Sequence, residues 1–205
     1  MPPVAWGLVV PVKRLALAKT RLQAYGDVLR QDLALAFAVD VVTAALASDA
    51  VEHVLVVTDD ERARVALSGA GAVVVSDGPD AGLNPALAHG ANLLPAGLGA
   101  ATVSADLPAL RPDELTAALR AVPADRRAFV ADAAGTGTTL LAAPVGQSLA
   151  PAYGQSSRDG HLVSGAAELP AGAGLRLDVD TPDDLRRALA LGVGGATAAV
   201  AARLG

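Results

Sequence analysis

Short apolar runs alternate with longer amphipathic segments along most of this 205-residue chain. The runs have strand length, and the longer segments repeat their apolar residues at helical spacing. Such alternation is typical of parallel strands joined by helices, so we expect an α/β fold with a mostly parallel sheet. The predicted strands are 6–12, 53–58, 72–75 and 101–104, and the predicted helices are 27–47, 59–69, 82–94 and one that begins at 112.

The pattern changes beyond residue 126. Two short strand-like runs, 128–131 and 139–142, are separated by a glycine-containing stretch and predict a hairpin inserted into the alternating order. The polar stretch 153–165 predicts a functional loop, because no second core follows it. The run 175–179 predicts a last strand. Thr181 is then the expected N-cap of a further helix, and the alanine-rich tail after it is expected to be helical.

The composition narrows the class of protein further. No cysteine is present, which excludes disulfides and thiolate zinc sites. No apolar stretch approaches the roughly 20 residues of a membrane span, and the N-terminus lacks a signal-peptide pattern. A net charge of -5 without a basic face argues against nucleic-acid binding. We therefore expect a cytoplasmic protein with one domain over residues 1–205, and neither a membrane nor a nucleic acid as its partner.

Acidic residues follow two of the predicted strands. In open parallel sheets, ligands bind beyond the carboxyl ends of the strands, and Asp106, Asp178 and Asp180 are expected there. On a strand, Asp178 and Asp180 would face the same side and repel each other unless a cation lay between them. Carboxylates together with a substrate phosphate are ligands that Mg²⁺ prefers. The alternative is that Asp180 merely precedes a capped helix and Asp178 is a solvated strand end.

The segment after the first strand concentrates positive charge. Residues 13–21 hold four cations, Lys13, Arg14, Lys19 and Arg21, and the chain has no other lysine. Beside a strand end, such a cluster favours a site for an anion such as a triphosphate. A solvated basic helix start is the alternative. Neither the P-loop pattern nor the dinucleotide-binding glycine pattern occurs here, which disfavours those two classes of protein.

Three further segments each allow a functional and a structural interpretation. Asn84 could read a base edge through its amide or cap the helix that follows. The glycine-rich stretch 135–139 could donate backbone N–H groups to an anion or form a plain hairpin turn. Residues 153–161 could likewise bind an anion or form a surface loop. The three histidines form no recognisable catalytic triad, and no Gly-x-Ser-x-Gly motif is present.

Taken together, these segments give the chain a specific resemblance. It resembles the 2-phospho-L-lactate or phosphoenolpyruvate guanylyltransferases of coenzyme F-420 biosynthesis, within the wider MobA-like nucleotidyltransferase group. The match runs through nearly the whole chain in the family's order, which makes it more specific than any single motif. Pro85 and the stretch 158–161 depart from the family pattern. The matching segments are 10–22, 82–87, 104–110, 129–138, 153–165 and 178–185.

The resemblance implies a Rossmann-like three-layer α/β/α nucleotidyltransferase fold and roles for individual residues. Asp106, Asp178 and Asp180 would hold Mg²⁺, and Lys19, Arg21 and Asp106 would be catalytic. The expected nucleotide-binding residues are Pro11, Lys13, Lys19, Arg21, Gly82 and Asn84, with Lys13 included only for its proximity. The expected contacts to the three-carbon phosphate are Thr138, Gly154 and a serine of the pair Ser156 and Ser157, of which Ser157 fits the spacing better.

The implied reaction joins GMP from GTP to an acceptor phosphate and releases pyrophosphate. Phosphoenolpyruvate and 2-phospho-L-lactate both remain open as acceptor, and the product would pass to the next enzyme of coenzyme F-420 biosynthesis. A homodimer is also left open. The alternatives are a molybdopterin or sugar-phosphate nucleotidyltransferase, whose usual glycine-rich first loop is missing here, and a non-catalytic nucleotide-binding module.

Overall fold

The structure, a computed structural model, describes residues 4–78 and 80–204. Seven strands of this part of the chain form one sheet. They are β1 (Trp6–Pro11), β2 (Val51–Val57), β3 (Val73–Val75), β4 (Gly99–Val103), β5 (Ala128–Ala131), β6 (Thr138–Ala143) and β7 (Ala167–Glu168). Their order across the sheet is β3-β2-β1-β4-β6-β5-β7.

Helices follow most of the strands. Two short 3₁₀ helices, Leu15–Leu17 and Thr20–Tyr25, lie between β1 and the first α-helix. The α-helices are α1 (Asp27–Leu46), α2 (Glu61–Gly69), α3 (Leu83–Asn92), α4 (Pro112–Arg120), α5 (Ser157–Val163), α6 (Ala173–Arg176), α7 (Pro182–Leu191) and α8 (Gly195–Ala201). None of the helices in the described ranges is long and apolar enough to cross a membrane.

The pairing of the strands confirms the predicted sheet and hairpin. Strand β1 pairs in parallel with β2 and β4, and β2 pairs in parallel with β3. Strand β6 runs antiparallel to both β4 and β5, so the β5–β6 hairpin interrupts an otherwise parallel sheet. Because parallel strands with crossover helices align their carboxyl ends, β1, β2 and β4 all point toward one edge of the sheet.

Alternating residues of β1 face two different cores. Leu8 and Val10 belong to a core that also contains residues of α1 and α4, whereas Val9 packs with Ala86 and Leu87 of α3. Helices therefore cover both faces of the sheet, which confirms the three-layer α/β/α architecture. Parallel strands that are buried on both faces have continuous apolar sequences, and for this reason these strands could be predicted from the sequence.

Helix α3 lies unusually close to the sheet. A Cβ atom at Gly90 would lie 2.7 Å from a Val9 side-chain atom and 2.9 Å from one of Val57, so only glycine fits there. This close approach holds α3 directly against β1 and β2. The first turn of α3, which contains Asn84, is thereby placed beside the carboxyl ends of these strands.

The predicted last strand, 175–179, was wrong. Residues Ala173–Arg176 form the short helix α6, and residues 177–180 are extended without joining the sheet. The alternation of buried Leu175, Leu177 and Val179 imitates a strand, but Glu114 accepts a hydrogen bond from the Gly174 N–H at 3.1 Å and secures the helical turn. This segment bonds the turn that follows β4, from the Val179 N–H to the Asp106 carbonyl at 2.9 Å.

The predicted loop 153–165 was also partly wrong, because α5 occupies its centre. Local sequence gave little sign of this helix, which contains a glycine and begins after Ser156. Tertiary contacts support it: the Arg158 N–H donates to the Thr136 carbonyl at 3.1 Å, and His161 is fully buried. Strand β7 follows it and was not predicted.

Other boundaries agree with the sequence to within about two residues. Pro112 begins α4, and Thr181 caps α7 with its side chain accepting from the Asp184 N–H. The predicted cap of α1 at Asp27 shifts to Gly26, which leaves Asp27 in the first turn. The alanine-rich tail is helical, as expected. Because Thr181 caps α7, residues 177–180 lie directly before this helix and next to the turn that follows β4. The predicted site lies at this position.

Candidate active site

A cleft of about 350 Å³ opens at the carboxyl ends of β1 and β4. One wall is the segment that follows β1 and includes both 3₁₀ helices. The opposite wall is the turn that follows β4 together with the extended segment before α7. Six of the predicted site residues line this cleft: Pro11, Lys13, Lys19, Arg21, Asp106 and Asp180.

Lys19 lies at the centre of the cleft. Its ammonium donates to Asp106 and to Asp180, the latter at 2.7 Å, and its side chain is 11% exposed. Arg21 adds a longer ion pair to Asp180 at 3.4 Å. Burial lowers the pKa of Lys19, but the charges of Asp106 and Asp180 outweigh it and hold that pKa above its ordinary value. Lys19 is therefore a fixed positive charge at neutral pH.

The backbone of Lys19 is held in an uncommon conformation. Its φ of 53° and ψ of 43° lie in the left-handed region, which non-glycine residues seldom adopt and which often marks a functional site. Lys19 precedes the second 3₁₀ helix as its N-cap. This local geometry turns the side chain toward the acids rather than toward solvent.

A buried arginine supports this conformation. Arg30 of α1 is 3% exposed, and its guanidinium donates to the carbonyls of Ala18 and of Ala16, the latter at 3.1 Å. It also bonds the Leu15 carbonyl at 3.3 Å and Asp27 at 3.0 Å. Sequence reasoning missed this residue, because an arginine in an amphipathic helix resembles an ordinary surface position. Its contacts fix the chain that leads directly into Lys19.

Two of the three predicted metal ligands, Asp106 and Asp180, bond Lys19, and the third, Asp178, lines the neighbouring cleft together with Asp180. Burial, followed by the charges of Asp106 and Asp180, raises the pKa of Asp178 to about 6. Asp106 Oδ1 is buried and has no hydrogen-bond partner among the described residues. The site thus combines an excess of negative charge with a free, inward carboxylate oxygen.

A tighter group of acids occurs elsewhere. Asp59, Asp77 and Asp80 have carboxylate oxygens within 4.8 Å of one another, and no other trio in the described ranges meets this distance. Asp106 and Asp180 are instead separated by the Lys19 ammonium. Asp59, Asp77 and Asp80 line a second cleft with Lys13 and Gly82, further along the same edge of the sheet.

Another cleft of about 350 Å³ adjoins the first on its far side. Arg21 and Asp180 line both clefts and so form the wall between them. Asp178 lines only the far cleft, together with Asp132, which follows β5. The acids are therefore arranged at a boundary where two ligands could approach each other.

The Asn84 amide bonds the backbone of Tyr153 through both its nitrogen and its oxygen. Its Nδ2 donates to the Tyr153 carbonyl at 2.8 Å, and its Oδ1 accepts from the Tyr153 N–H at 2.7 Å. The capping alternative for Asn84 was wrong, since Gly82 is the N-cap of α3 and Asn84 lies inside the helix. Asn84 thus connects the first turn of α3 to the segment that leads into α5.

The turn of the β5–β6 hairpin is stabilised internally. The Asp132 carboxylate accepts from the N–H groups of Thr136 and Gly137, each at 2.9 Å, and Gly135 supplies a positive φ of 74°. These two N–H groups therefore already bond an anion that belongs to the chain itself. For them, the interpretation as a hairpin turn is favoured over anion binding.

Residues predicted to contact the acceptor gather around α5. Thr138 begins β6 and is 7% exposed, and Ser157 begins α5 and is 3% exposed. Ser156 is exposed and has a left-handed backbone with a φ of 55°, whereas Gly154 reaches a φ of 152°. Of the two serines, Ser157 is buried and Ser156 is exposed, and the choice of Ser157 from spacing stays a prediction.

His161 ends the polar stretch 153–161, for which a surface loop was one interpretation, yet it is fully buried. It lies one helical turn from Ser157, on the same face of α5. Its ring packs against Phe129 and Tyr153, with centroid distances of 5.6 and 5.3 Å. Its Nδ1 atom is 2.9 Å from Thr138 Oγ1. The apolar character of α5 is weak, and for this reason the burial of His161 could not be foreseen.

Comparison with known proteins gives matches over nearly the whole chain. The MobA-like NTP transferase domain matches residues 33–172. A phosphoenolpyruvate guanylyltransferase of Streptomyces coelicolor is 58% identical, with 97% of each chain covered. One of Thermomonospora curvata is 55% identical over 98% of this chain and 90% of its own.

The fold comparison agrees with these matches. A nucleotidyl transferase from Methanothermobacter thermautotroptrophicus superposes with a TM-score of 0.65 at 21% identity, covering 91% of this chain and 97% of its own. At this identity the likeness concerns the fold, and it supports the nucleotidyltransferase architecture described above.

Proposed function

We propose a reaction for this chain from the family to which it belongs: the chain is a member of the MobA-like NTP transferases and, among them, of the phosphoenolpyruvate guanylyltransferases. It transfers GMP from GTP to the phosphate of phosphoenolpyruvate and releases pyrophosphate. The observation that carries this proposal is the identity of 55–58% over nearly the whole length of enzymes with that name. The site is consistent with this reaction, because charged side chains line one half of it, around Lys19, and uncharged donors the other, around α5.

The chemistry needs no strong general base. The acceptor phosphate is an anion at neutral pH and can attack the α-phosphorus directly, while pyrophosphate leaves from the opposite side. Catalysis then consists of alignment and of neutralising the charge that develops on the phosphates. No covalent intermediate with the protein is required.

The charged half of the site suits the triphosphate. Lys19 is fixed in position and stays protonated, and Arg21 is largely exposed at the wall between the two clefts. Both would stabilise the departing pyrophosphate. Lys13, which is exposed in the same cleft, would add a weaker attraction. Pro11, Gly82 and Asn84 lie further along this side, where we propose that the nucleoside is bound.

The residues present fit a divalent cation. Asp106 has a buried oxygen without a partner, and the repulsion felt by Asp178 is the electrostatic condition that a cation relieves. We propose that Asp106, Asp178 and Asp180 hold Mg²⁺, which would supply charge neutralisation to the phosphates. Lys19 bonds both Asp106 and Asp180 and so holds these two carboxylates in the first cleft.

The uncharged half suits the acceptor. Thr138, Gly154 and Ser157 offer hydroxyl and N–H donors near α5, and we propose that they bind the carboxylate and phosphate oxygens of phosphoenolpyruvate. Neutral donors hold an anion without neutralising it, so the attacking phosphate oxygen keeps its nucleophilic charge. Transfer of the product to a following enzyme of coenzyme F-420 biosynthesis, a homodimer and a cytoplasmic location stay predictions from the sequence.

The experiment is an assay of pyrophosphate release with each of the four nucleoside triphosphates, with Mg²⁺ or a chelator, and with phosphoenolpyruvate or 2-phospho-L-lactate. We expect release with GTP, Mg²⁺ and phosphoenolpyruvate together, and a product whose mass equals that of both substrates less pyrophosphate. Because such an anhydride can be labile, the mass should be taken at early times. Binding of GTP without release of pyrophosphate would indicate a non-catalytic module and contradict the proposal.

A further inference from the structure

The ring of His161 is held by two hydrogen bonds, one at each nitrogen. Its Nε2 accepts from the Ala152 N–H at 3.1 Å, and its Nδ1 lies 2.9 Å from Thr138 Oγ1. The residue is fully buried, with Phe129 and Tyr153 against its ring. None of the proposed roles in catalysis or binding yet uses it.

The bond at Nε2 determines the tautomer. A backbone N–H can only donate, so Nε2 must be the unprotonated nitrogen of the ring. A neutral imidazole carries one proton, which must then reside on Nδ1. Burial, followed by the nearby charge of Arg127, lowers the pKa of His161 to about 4, so the ring is neutral at physiological pH.

The tautomer in turn determines the direction of the Thr138 hydroxyl. With its proton on Nδ1, His161 donates to Thr138 Oγ1, which accepts with one of its lone pairs. The hydroxyl hydrogen of Thr138 must then point elsewhere. No other partner of Thr138 Oγ1 is found within the described ranges, so this hydrogen is free to be donated to a ligand.

We infer that His161 is a positioning residue for the acceptor: it donates to Thr138 and thereby directs the Thr138 hydroxyl hydrogen toward an anionic oxygen of the bound three-carbon phosphate. This inference rests on the proposed function, which places the acceptor beside Thr138. Ser157 lies one turn before His161 on the same face of α5. Helix α5 therefore links the direction of the Thr138 hydroxyl to the position of the Ser157 hydroxyl.

Two substitutions of His161 separate positioning from structural support. In His161→Asn the amide nitrogen takes the place of Nδ1 and can still donate to Thr138. In His161→Gln the longer side chain brings its amide to the place of Nε2, where its oxygen can accept from Ala152. We expect His161→Gln to raise the KM for phosphoenolpyruvate about tenfold, because a hydrogen bond to a charged group is lost.

The expected order of the two variants is the test. His161→Asn should keep the KM for phosphoenolpyruvate within about threefold of the unaltered enzyme, a difference well below one hydrogen bond to a charged group. Neither variant should change the KM for GTP. If His161→Gln binds the acceptor better than His161→Asn does, the histidine acts through Ala152, and the inference is wrong.

A double-mutant cycle tests whether His161 acts through Thr138. Thr138→Val removes the hydroxyl at nearly constant volume and should itself raise the KM for phosphoenolpyruvate. In that background His161→Gln should have no further effect, because there is no hydroxyl left to direct. Independent, multiplying effects of the two changes would overturn the inference.

The tautomer can be measured without any change at His161. Nitrogen NMR of the ¹⁵N-histidine-labelled full chain distinguishes the two neutral tautomers, and His53→Gln and His89→Gln assign the three histidines. We expect the proton of His161 on Nδ1, and a proton on Nε2 would contradict the inference. If the unaltered enzyme releases no pyrophosphate with phosphoenolpyruvate, the proposed function fails instead, and the NMR result still reports on the hydrogen bonding.

Discussion

The two halves of the site hold their key residues in different ways. On the proposed nucleotide side, Lys19 is fixed by ion pairs with Asp106 and Asp180, while Arg30 fixes the backbone that precedes it. On the proposed acceptor side, Thr138 is held by the neutral ring of His161, whose other nitrogen accepts from the Ala152 N–H. Formal charges dominate the first half, and uncharged hydrogen bonds dominate the second.

The difference corresponds to what each half is proposed to bind. A leaving pyrophosphate gains charge during the reaction, so cations stabilise it more in the transition state than in the ground state. An attacking phosphate loses charge, and cations placed against it would stabilise the ground state instead. The two halves nevertheless share one local feature, because Lys19 and Ser156 are both non-glycine residues with a left-handed backbone just before a helix.

The largest expected effect follows from removing the central cation. Lys19→Met should lower kcat by about 10² to 10³, the range typical of losing one preorganised charge-stabilising group. Lys13→Met is the matched control, since Lys13 is exposed and makes no described ion pair, and we expect a change of only a few fold. Steady-state kinetics at saturating substrates would measure both. An equal loss in the two variants would contradict the central position given to Lys19.

Asp178→Asn should separate activity from stability. The variant should lose magnesium-dependent turnover by at least about 10², because a proposed metal ligand is removed. Without metal its free energy of unfolding at pH 8 should increase by about 1 kcal/mol, since burial and like charges oppose ionisation of Asp178. Asp183→Asn, at the exposed start of α7, is the control. Unchanged turnover in Asp178→Asn would argue against the metal assignment.

In the proposed acceptor half, buried His161 should make the free energy of unfolding depend on pH. Since the folded pKa of His161 is about 4 and its ordinary value is 6.5, the unfolded chain binds this proton more readily. The contribution is complete above pH 6.5 and is lost as the pH falls through 4, amounting to about 2 to 3 kcal/mol. Arg127 and the phenol of Tyr153 are the ionisable neighbours of this ring.

Denaturant unfolding at pH 7 and pH 4 measures this loss against His161→Asn. Carboxylates elsewhere also titrate in this range, so the informative quantity is the difference between the two proteins. We expect the unaltered chain to lose more stability than the variant does. Equal losses would show that His161 is accessible to protons in the folded state.

A smaller effect is expected at the edge of the acceptor half. The Tyr153 hydroxyl lies 2.7 Å from Thr102 Oγ1 of β4, and burial raises its pKa above the ordinary value. Tyr153→Phe should therefore cost about 1 kcal/mol of unfolding free energy and leave kcat nearly unchanged. Thermal denaturation would test this. A large loss of activity would mean that the phenol contacts a substrate, which the hydrogen bond to Thr102 argues against.

The layers of the fold could be predicted because buried parallel strands are written as apolar runs. The sequence also allowed the charged candidate residues to be identified, because charges near strand ends are conspicuous in an alanine-rich chain. They are the four cations after β1 and the acids Asp106, Asp178 and Asp180. Helix α5 was not, because its position depends on contacts with the hairpin turn and on the burial of His161. Residues 177–180 were wrongly predicted as part of a strand. A segment that packs beside a sheet can bury every second residue, as a strand does, without pairing with the sheet.

The roles of Arg30 and Asn84 could not have been predicted either. Each acts on backbone groups far away in sequence, and side-chain bonds to distant carbonyls leave no periodic signal. The residues that hold a site in shape are thus harder to find in a sequence than those that carry its charge.

The most direct test of the division between the halves is pyrophosphate release at saturating GTP and Mg²⁺ while phosphoenolpyruvate is varied, for the unaltered enzyme and Thr138→Val. The account predicts no release without phosphoenolpyruvate, saturation as it is added, and a KM for phosphoenolpyruvate about tenfold higher in Thr138→Val with the KM for GTP unchanged. Release at the same rate without phosphoenolpyruvate, or a change in the KM for GTP alone, would contradict it.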